Sequence, residues 1–364
     1  MKKLDKKAGT AEFSRLLLNW NKLANKREMP WKGEKDPYKI WLSEIILQQT
    51  RVEQGLNYYH RFIKAFPNVH QLAKAPDAKV FKLWEGLGYY TRCRNLIATA
   101  RYISKELNGE FPVAYEEIKA LKGIGPYTAA AISSFAFNLP HAVVDGNVFR
   151  VLSRIYGIQT PIDSTEGKKY FTRLANEKLD KDQPGIYNQA IMDFGAIICK
   201  PAAPLCEDCV FNKTCFAFTH SKINELPVKG KRITIKKRWF YYLVLEQDGK
   251  VAIQQRMQKD IWQHLYEYPM KETIKEADTK KILEQAEKNG WLQKGRYEVV
   301  AVSPLFKQQL SHQLIAGQFI TIRVKKKTTI SNEVIWVTKN ELKKFAFPKF
   351  INQYFENREM QNLF

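Results

Sequence analysis

The sequence predicts two domains of different classes, an all-α domain over residues 1–219 and an α+β domain over residues 238–364, joined by a linker over residues 220–237. Three observations predict this division. The chain has 364 residues, which is long for one hydrophobic core. Apolar residues recur at three- and four-residue spacing in its first half. Runs rich in Tyr, Val and Ile begin only after Ile233.

The helical spacing of the first half is clearest in seven segments, which Pro, Gly and Asn separate. The predicted helices cover residues 13–23, 38–47, 58–66, 80–83, 95–107, 127–137 and 148–156.

The second half reads as strands with one helix. The predicted strands cover residues 239–245, 251–255, 320–324 and 334–337, and the predicted helix covers residues 279–288. Asp248-Gly249 between the first two strands is a strong hairpin signal. The linker is polar, carries Pro227 and Gly230, and ends in a basic run.

The charge balance indicates a polyanionic partner. Lys and Arg number 59 against 37 Asp and Glu, so the net charge is +22, which favours nucleic acid binding. Charge alone leaves open a basic protein without such a partner. No long uncharged apolar run is present, and residues 1–10 lack the apolar centre of a signal peptide. We therefore expect an intracellular monomer, in the cytoplasm or nucleoid, without membrane contact.

A glycine-containing turn precedes one of the predicted helices. Gly123 and Gly125 allow the backbone to approach a ligand, and Pro126 suits the first helical position. Amide groups at such a turn form an anion site, and its carbonyl groups would suit a cation. Asp145 stands before the apolar run of the next helix and is predicted to cap it.

Glu44 is a candidate proton donor. Its helical neighbours include Ile40, Trp41 and Leu47, so the carboxyl group would lose hydration and its pKa would rise. The alternatives are an exposed Glu44 and an Asp145 that only caps a helix. A protonated Glu paired with an ionised Asp is the combination that breaks glycosidic bonds.

Four of the five cysteines lie within one short segment, as Cys199, Cys206, Cys209 and Cys215. Such clustering indicates a metal centre, and the four thiolates fit either zinc or a four-iron cluster, with zinc the more common. Cys93 stands apart and is predicted to be a small buried residue.

Two stretches suit contact with a base stack. Tyr89 and Tyr90 lie beside glycine and arginine and could wedge between bases, whereas Gln48 and Gln49 could fill the gap left by an extruded base. Core packing is the alternative for both tyrosines.

These motifs together resemble the helix-hairpin-helix DNA glycosylase superfamily, and within it the adenine DNA glycosylase (MutY) family. The resemblance covers nearly the whole chain. It is carried by WLSEIILQQT, GLGYYTRCRN, LKGIGPYTAA, VDGNVFRVL and the cysteine spacing. It implies a [4Fe-4S] cluster at residues 199–215, which replaces the general preference for zinc.

The resemblance also implies roles for individual residues. Glu44 would protonate adenine at N7 and later help to activate water, while Asp145 would stabilise the sugar cation, either directly or through a transient covalent adduct. Asn147 and Tyr127 match positions beside these groups.

The position of Tyr127 also bears on the reaction. Relatives similar to endonuclease III carry a lysine there, which forms a Schiff base and cuts the strand. The tyrosine therefore predicts release of the base by water, without an efficient lyase step.

The remaining implied roles concern the duplex. Gln49 with Tyr89 matches the wedge on the opposite strand. The partner would be double-stranded DNA with adenine opposite 8-oxoguanine or guanine.

The second domain resembles a Nudix-like module. Residues 266–277 lack the Arg-Glu and Glu-Glu pattern of a hydrolase, so the resemblance implies recognition without hydrolysis. The family reads 8-oxoguanine with a Phe-Ser-His loop, which Ser311 and His312 match and from which Leu310 departs. The alternative for Ser311 is an ordinary hairpin residue.

Two other functions fit the same residues. One is a combined glycosylase and lyase that acts on another lesion. The other is a protein that only binds DNA and whose metal cluster is structural.

Overall fold

The computed structural model describes residues 8–230, 234–325 and 334–361. The chain divides into two compact units. The first contains residues 8–74 and 94–230, and the second contains residues 75–93, 234–325 and 334–361. The grouping of residues 75–93 with the second unit has no counterpart in the sequence pattern. The predicted bounds at residues 219 and 238 stay predictions.

The first half of the chain is helical, as the sequence predicts. Its helices are α1 (Ala8–Ala24), α2 (Pro37–Leu47), α3 (Val52–Ala65), α4 (Val69–Lys74), α5 (Asp77–Trp84), α6 (Tyr90–Glu106), α7 (Tyr115–Ala120), α8 (Pro126–Phe137), α9 (Gly146–Tyr156), α10 (Thr165–Lys178), α11 (Pro184–Ile197) and α12 (Phe216–Thr219).

Helices α1, α8, α9, α10 and α11 share one hydrophobic core. Helix α9 buries a stripe at helical spacing, including Val148, Val151 and Leu152. Helix α11 is apolar over most of its surface and begins with Pro184-Gly185, which explains why an amphipathic pattern did not predict it. The core holds the first turns of α8 and α9 in fixed places.

The second unit is built on a mixed sheet. Its strands are β1 (Lys236–Gln247), β2 (Lys250–Gln255), β3 (Tyr266–Glu267), β4 (Met270–Thr273), β5 (Tyr297–Val302), β6 (Phe306–Gln309), β7 (Gln313–Val324) and β8 (Val334–Thr338). The order β3-β2-β1-β7-β5 forms the main path, while β4 pairs with β1, β6 with β7 and β8 with β2. Strands β1 and β7 are parallel, from Lys236 opposite Gln313 to Glu246 opposite Arg323.

Helices and a tight turn complete this unit. Helix α13 (Thr279–Lys288) lies where the sequence predicts it, and α14 (Lys349–Gln361) follows a 3-10 turn at Glu341–Lys344. Asp248 and Gly249 both have positive φ, 50° and 72°, as a type I′ hairpin requires. The hairpin is therefore confirmed. The four short strands β3–β6 and helix α14 were not predicted.

Within the described residues, no helix combines the length and the apolar character needed to cross a membrane.

Candidate active site

Glu44 is buried inside the helical unit. Asp36 caps α2 by accepting a hydrogen bond from the Tyr38 amide at 2.9 Å, and Pro37 occupies the first turn. The helix is buried on nearly all sides, and Glu44 is 7% exposed. Burial raises the pKa of Glu44 to about 7, a hydrogen bond with Tyr127 opposes the rise, and the charge of Asp145 adds to it. Glu44 can therefore hold a proton near neutral pH.

Asp145 caps α9, as predicted, and is also a buried carboxylate of the same site. Its Oδ1 accepts a hydrogen bond from the Val148 amide at 2.8 Å, and its Oδ2 accepts one from Asn147 Nδ2 at 2.9 Å. Burial raises the pKa of Asp145, while these donors and the charge of Arg150 lower it. The charge of Asp145 contributes to the raised pKa of Glu44, so the two carboxyl groups lie close enough to interact.

Tyr127 lies in the first turn of α8 and faces both carboxyl groups. Burial, followed by the charges of Glu44 and Asp145, raises the pKa of Tyr127 well above its usual range. Its hydroxyl group therefore stays protonated, and it lies 3.4 Å from Met192 Sδ. The site thus joins two carboxyl groups and a phenol, with Asn147 beside Asp145. Asp145 has more hydrogen-bond donors than Glu44, so Glu44 is the better holder of the proton.

The turn before α8 uses its two glycines differently. Gly123 has φ +81°, and a Cβ there would lie 2.6 Å from Asn95 Cβ, so the position requires glycine. Gly125 has an extended backbone with φ −93° and open space around a built Cβ. Pro126 begins α8, as predicted. The cation predicted at this turn stays a prediction.

Both residues predicted to wedge into DNA have left-handed backbones. Gln49 has φ 55° and Tyr89 has φ 49°, which is uncommon for residues with a side chain. Tyr89, in the second unit, is 44% exposed, and the Arg92 guanidinium lies 5.2 Å from its ring centre. Tyr90 is buried and its hydroxyl accepts a hydrogen bond from the Gly86 amide at 3.2 Å, so it belongs to the core.

Ser311 and His312 form the exposed tip of the hairpin between β6 and β7. The Leu310 amide donates to the Gln313 carbonyl at 2.7 Å and closes the turn. The hydroxyl groups of Ser311 and Tyr89 lie 2.7 Å apart, within hydrogen-bonding distance. The structure therefore brings Tyr89 and the predicted base-reading loop together within the second unit.

Arg150 is a component of the site that the sequence pattern did not indicate. Its Nη2 donates to Asn147 Oδ1 at 2.8 Å and to the Gly195 carbonyl at 2.7 Å, and its Nε donates to the Cys199 carbonyl at 2.7 Å. Gly195 packs so closely that a Cβ there would lie 2.6 Å from Asn147 Cβ. These contacts depend on long-range packing, so the only local signal was an arginine within the predicted helix.

The four clustered cysteines line one small cavity next to α9 and α11. Arg154, which is 3% exposed, directs Nη1 at Cys199 Sγ at 3.6 Å, and the Phe211 amide donates to Cys209 Sγ at 3.4 Å. Burial raises the pKa of Cys209 to about 12. In the described part of the chain, no three Cys, His, Asp or Glu side chains close on a single metal ion. Cys93 is fully buried, as predicted.

Two family models match the chain. The model described as HhH-GPD superfamily base excision DNA repair protein matches residues 42–177, and the model of the NUDIX domain matches residues 240–357. Both matches agree with the helical and α+β halves of the fold.

Two similar proteins are adenine DNA glycosylases. The chain is 34% identical over 348 residues to the adenine DNA glycosylase of Buchnera aphidicola subsp. Baizongia pistaciae, and the match covers 93% of this chain and 94% of that protein. It is 38% identical over 232 residues to the human adenine DNA glycosylase, which covers 61% of this chain and 42% of the relative.

Among solved structures, a thermostable thymine-DNA glycosylase matches with a TM-score of 0.54 and 29% identity, over 59% of this chain and 98% of that chain. A trapped endonuclease III–DNA covalent intermediate matches with a TM-score of 0.52 and 20% identity, over 60% of this chain and 99% of that chain. The second likeness concerns the fold alone.

Proposed function

The chain belongs to the adenine DNA glycosylase family, and we propose that it hydrolyses the N-glycosidic bond of adenine opposite 8-oxoguanine or guanine in double-stranded DNA without cutting the strand. It is a DNA glycosylase by family. The identity of the base opposite adenine, the release of adenine by water and the roles of the individual residues are what we propose.

One observation carries the proposal: a carboxyl group with pKa about 7 lies in one buried site with a second carboxylate that accepts more hydrogen bonds. Glu44 gives its proton to adenine N7, which makes the purine a neutral leaving group. The C1′–N9 bond breaks, its electrons leave with the base, and Asp145 stabilises the cationic sugar. Glu44, now ionised, accepts a proton from the water that attacks C1′. Asn147 and Arg150 hold Asp145 in place.

Tyr127 supports hydrolysis over strand cleavage. A lyase step needs an amine that replaces the base at C1′ and forms a Schiff base. The phenol of Tyr127 cannot form one, and its raised pKa keeps it neutral. The product is therefore an intact strand with an abasic site.

Other predicted residues handle the duplex in this proposal. The turn with Gly123 and Gly125 binds a backbone phosphate through its amide groups, and the net charge of +22 strengthens attraction to DNA. Gln49 and Tyr89 fill the stack when the base is extruded. Ser311 and His312 read the opposite base.

We further propose that Cys199, Cys206, Cys209 and Cys215 hold a [4Fe-4S] cluster. The four thiols line one cavity, and four thiolates are the ligand set of such a cluster. The cluster would tie together the segment after α11. Fresh protein should absorb broadly in the visible region and contain about four irons per chain. Colourless protein with one zinc would contradict this assignment.

The decisive experiment uses a duplex with adenine opposite 8-oxoguanine. We expect free adenine and strand breaks that appear only after alkali, with no protein trapped on DNA by borohydride. Glu44→Gln and Asp145→Asn should bind the duplex but release no adenine, whereas Glu166→Gln, at an exposed position of α10, should act normally. Absence of adenine release by the parent protein would refute the proposal. Breaks without alkali would indicate a lyase.

A further inference from the structure

Three hydrogen bonds close the hairpin tip at Ser311 and His312. The Leu310 amide donates to the Gln313 carbonyl at 2.7 Å, and Gln309 Nε2 donates to the carbonyl groups of Leu310 at 2.6 Å and Gln313 at 3.2 Å. These hydrogen bonds fix the shape of the turn. They do not fix where the turn stands relative to the rest of the sheet.

Strand β1 places the tip through two contacts. The Lys236 amide donates to the His312 carbonyl at 2.9 Å. Arg238 Nη1 donates to Gln313 Oε1 at 3.1 Å, and Gln313 directly follows the tip as the first residue of β7. The second contact is a side-chain hydrogen bond to a charged donor, which is stronger than a neutral one.

Arg238 is itself held in one orientation. It is 7% exposed, and its Nε and Nη2 donate to Glu272 at 2.7 and 2.6 Å. Its Nη1 and Nη2 also donate to Asp260 at 3.0 and 2.6 Å. Asp260 accepts a further hydrogen bond from Arg256 Nη2 at 2.7 Å, and Arg256 pairs with the buried Glu267. Four other charged groups thus support the Arg238 guanidinium, Glu272 and Asp260 directly and Arg256 and Glu267 through Asp260.

A partly buried network of this kind adds little to stability, because the desolvation of its buried charges offsets their attraction and its exposed members are screened by water. Its effect is geometric: a satisfied network of charged hydrogen bonds leaves each member one position. Arg238 is the member of this network that contacts Gln313, at the base of the tip. Because the network holds Arg238 in one position, the contact of Arg238 with Gln313 fixes the position of Ser311 and His312 relative to β1.

We propose that Arg238 is a positioning residue which, through Gln313, holds the Ser311–His312 tip where it distinguishes 8-oxoguanine from guanine opposite adenine. This inference rests on the proposed function. The two bases differ only at C8 and N7, so few hydrogen bonds separate them, and such contacts need placement within about half an ångström. Loss of the anchor should reduce discrimination and leave the chemistry of adenine release intact.

The test alters the acceptor and leaves Arg238 in its network. Gln313→Leu removes the acceptor at similar volume, and Gln313→Glu keeps it. Gln318→Leu is the matched control, because Gln318 lies on the same strand and donates to the Ser303 carbonyl at 3.1 Å, away from the tip. The measurement is kcat/KM with adenine opposite 8-oxoguanine and opposite guanine, alongside the thermal unfolding midpoint.

We expect Gln313→Leu to lower the 8-oxoguanine to guanine ratio of kcat/KM by roughly 10-fold, the scale of one hydrogen bond to a charged group. The rate on the guanine duplex and the unfolding midpoint should change little. Gln313→Glu and Gln318→Leu should keep the parental ratio.

An unchanged ratio in Gln313→Leu, or an equal fall on both duplexes, would overturn the inference while the proposed function stands. A parent protein that releases no adenine would refute the proposed function itself. The two failures are therefore distinguishable.

Discussion

The hydroxyl group of Tyr127 and the carboxyl group of Glu44 form a hydrogen bond within the helical unit. This hydrogen bond lowers the pKa of Glu44, whereas burial and the charge of Asp145 raise it. The pKa of about 7 therefore results from burial and the charge of Asp145, which raise it, and from the hydrogen bond with Tyr127, which lowers it.

Removal of the Tyr127 hydroxyl group should shift the pH dependence of adenine excision. In Tyr127→Phe the pKa of Glu44 rises further, so its acid form persists to higher pH. We expect the alkaline limb of the single-turnover excision rate to move upward by about one pH unit or less, the value of one hydrogen bond. Tyr170→Phe, at an exposed position of α10, is the control. If the alkaline limb of the excision rate does not move in Tyr127→Phe, the protonation of Glu44 does not control that rate.

Glu44→Gln should separate activity from stability. The pKa of Glu44 rises on folding from 4.5 to about 7, so the folded state binds the proton more tightly. The stability from this group is full below about pH 4.5, is lost as pH rises to about 7, and amounts to about 3 kcal/mol. The variant removes this dependence, so its unfolding midpoint should exceed that of the parent at about pH 8.

The same variant should lose excision by about 100-fold or more, because it has no proton to give. Thermal unfolding at two pH values and adenine release measure the two effects. Equal pH dependence of unfolding in Glu44→Gln and the parent would contradict the assigned pKa. Glu166→Gln should match the parent in both measurements.

The site illustrates what local sequence signals can predict. Pro126 at the start of α8 and Asp145 as the cap of α9 follow from residue chemistry at helix ends, and both are confirmed. The burial of Glu44 follows from its apolar neighbours. Arg150 and Gly195 were not predicted, because their roles arise where α9 packs on α11. Such contacts depend on the whole core and leave no short-range pattern.

The second unit shows the same limit. The long strand β1 and the Asp248-Gly249 hairpin were predictable from strand composition and turn chemistry. Arg238 directly follows the basic run that ends the predicted linker, yet it is buried in β1, where it contacts Glu272, Asp260 and Gln313. Its position beside a run of charged residues did not indicate that its side chain faces inward.

Arg150→Lys should weaken excision while the duplex still binds. Lysine cannot reproduce the planar set of donors that reaches Asn147, Gly195 and Cys199. Asn147 then loses its orienting partner, and Asp145 loses part of its support. We expect adenine release to slow by about 10- to 100-fold, as for other residues that orient a catalytic group.

Visible absorbance recorded on the same Arg150→Lys sample shows whether the cysteine segment has changed as well. Arg173→Lys is the control, since the Arg173 side chain is 70% exposed on α10. Parental rates in Arg150→Lys would mean that Asn147 needs no anchor.

Gln49→Gly should stabilise the fold and weaken the enzyme. Gln49 is exposed at the end of α2 with φ 55°, a backbone that costs a side-chain-bearing residue about 1 kcal/mol and glycine almost nothing. Relief of this strain should raise the unfolding midpoint slightly, although glycine gains freedom in the unfolded chain. The amide that fills the DNA stack is lost, so adenine release from a duplex should fall by about 10-fold or more, as base extrusion costs a few kcal/mol.

Ser221→Gly, exposed and with φ 56°, is the control and should show the same gain in stability with parental activity. If Gln49→Gly kept full activity, the Gln49 side chain would have no role in base extrusion, and its left-handed backbone would serve only the turn after α2.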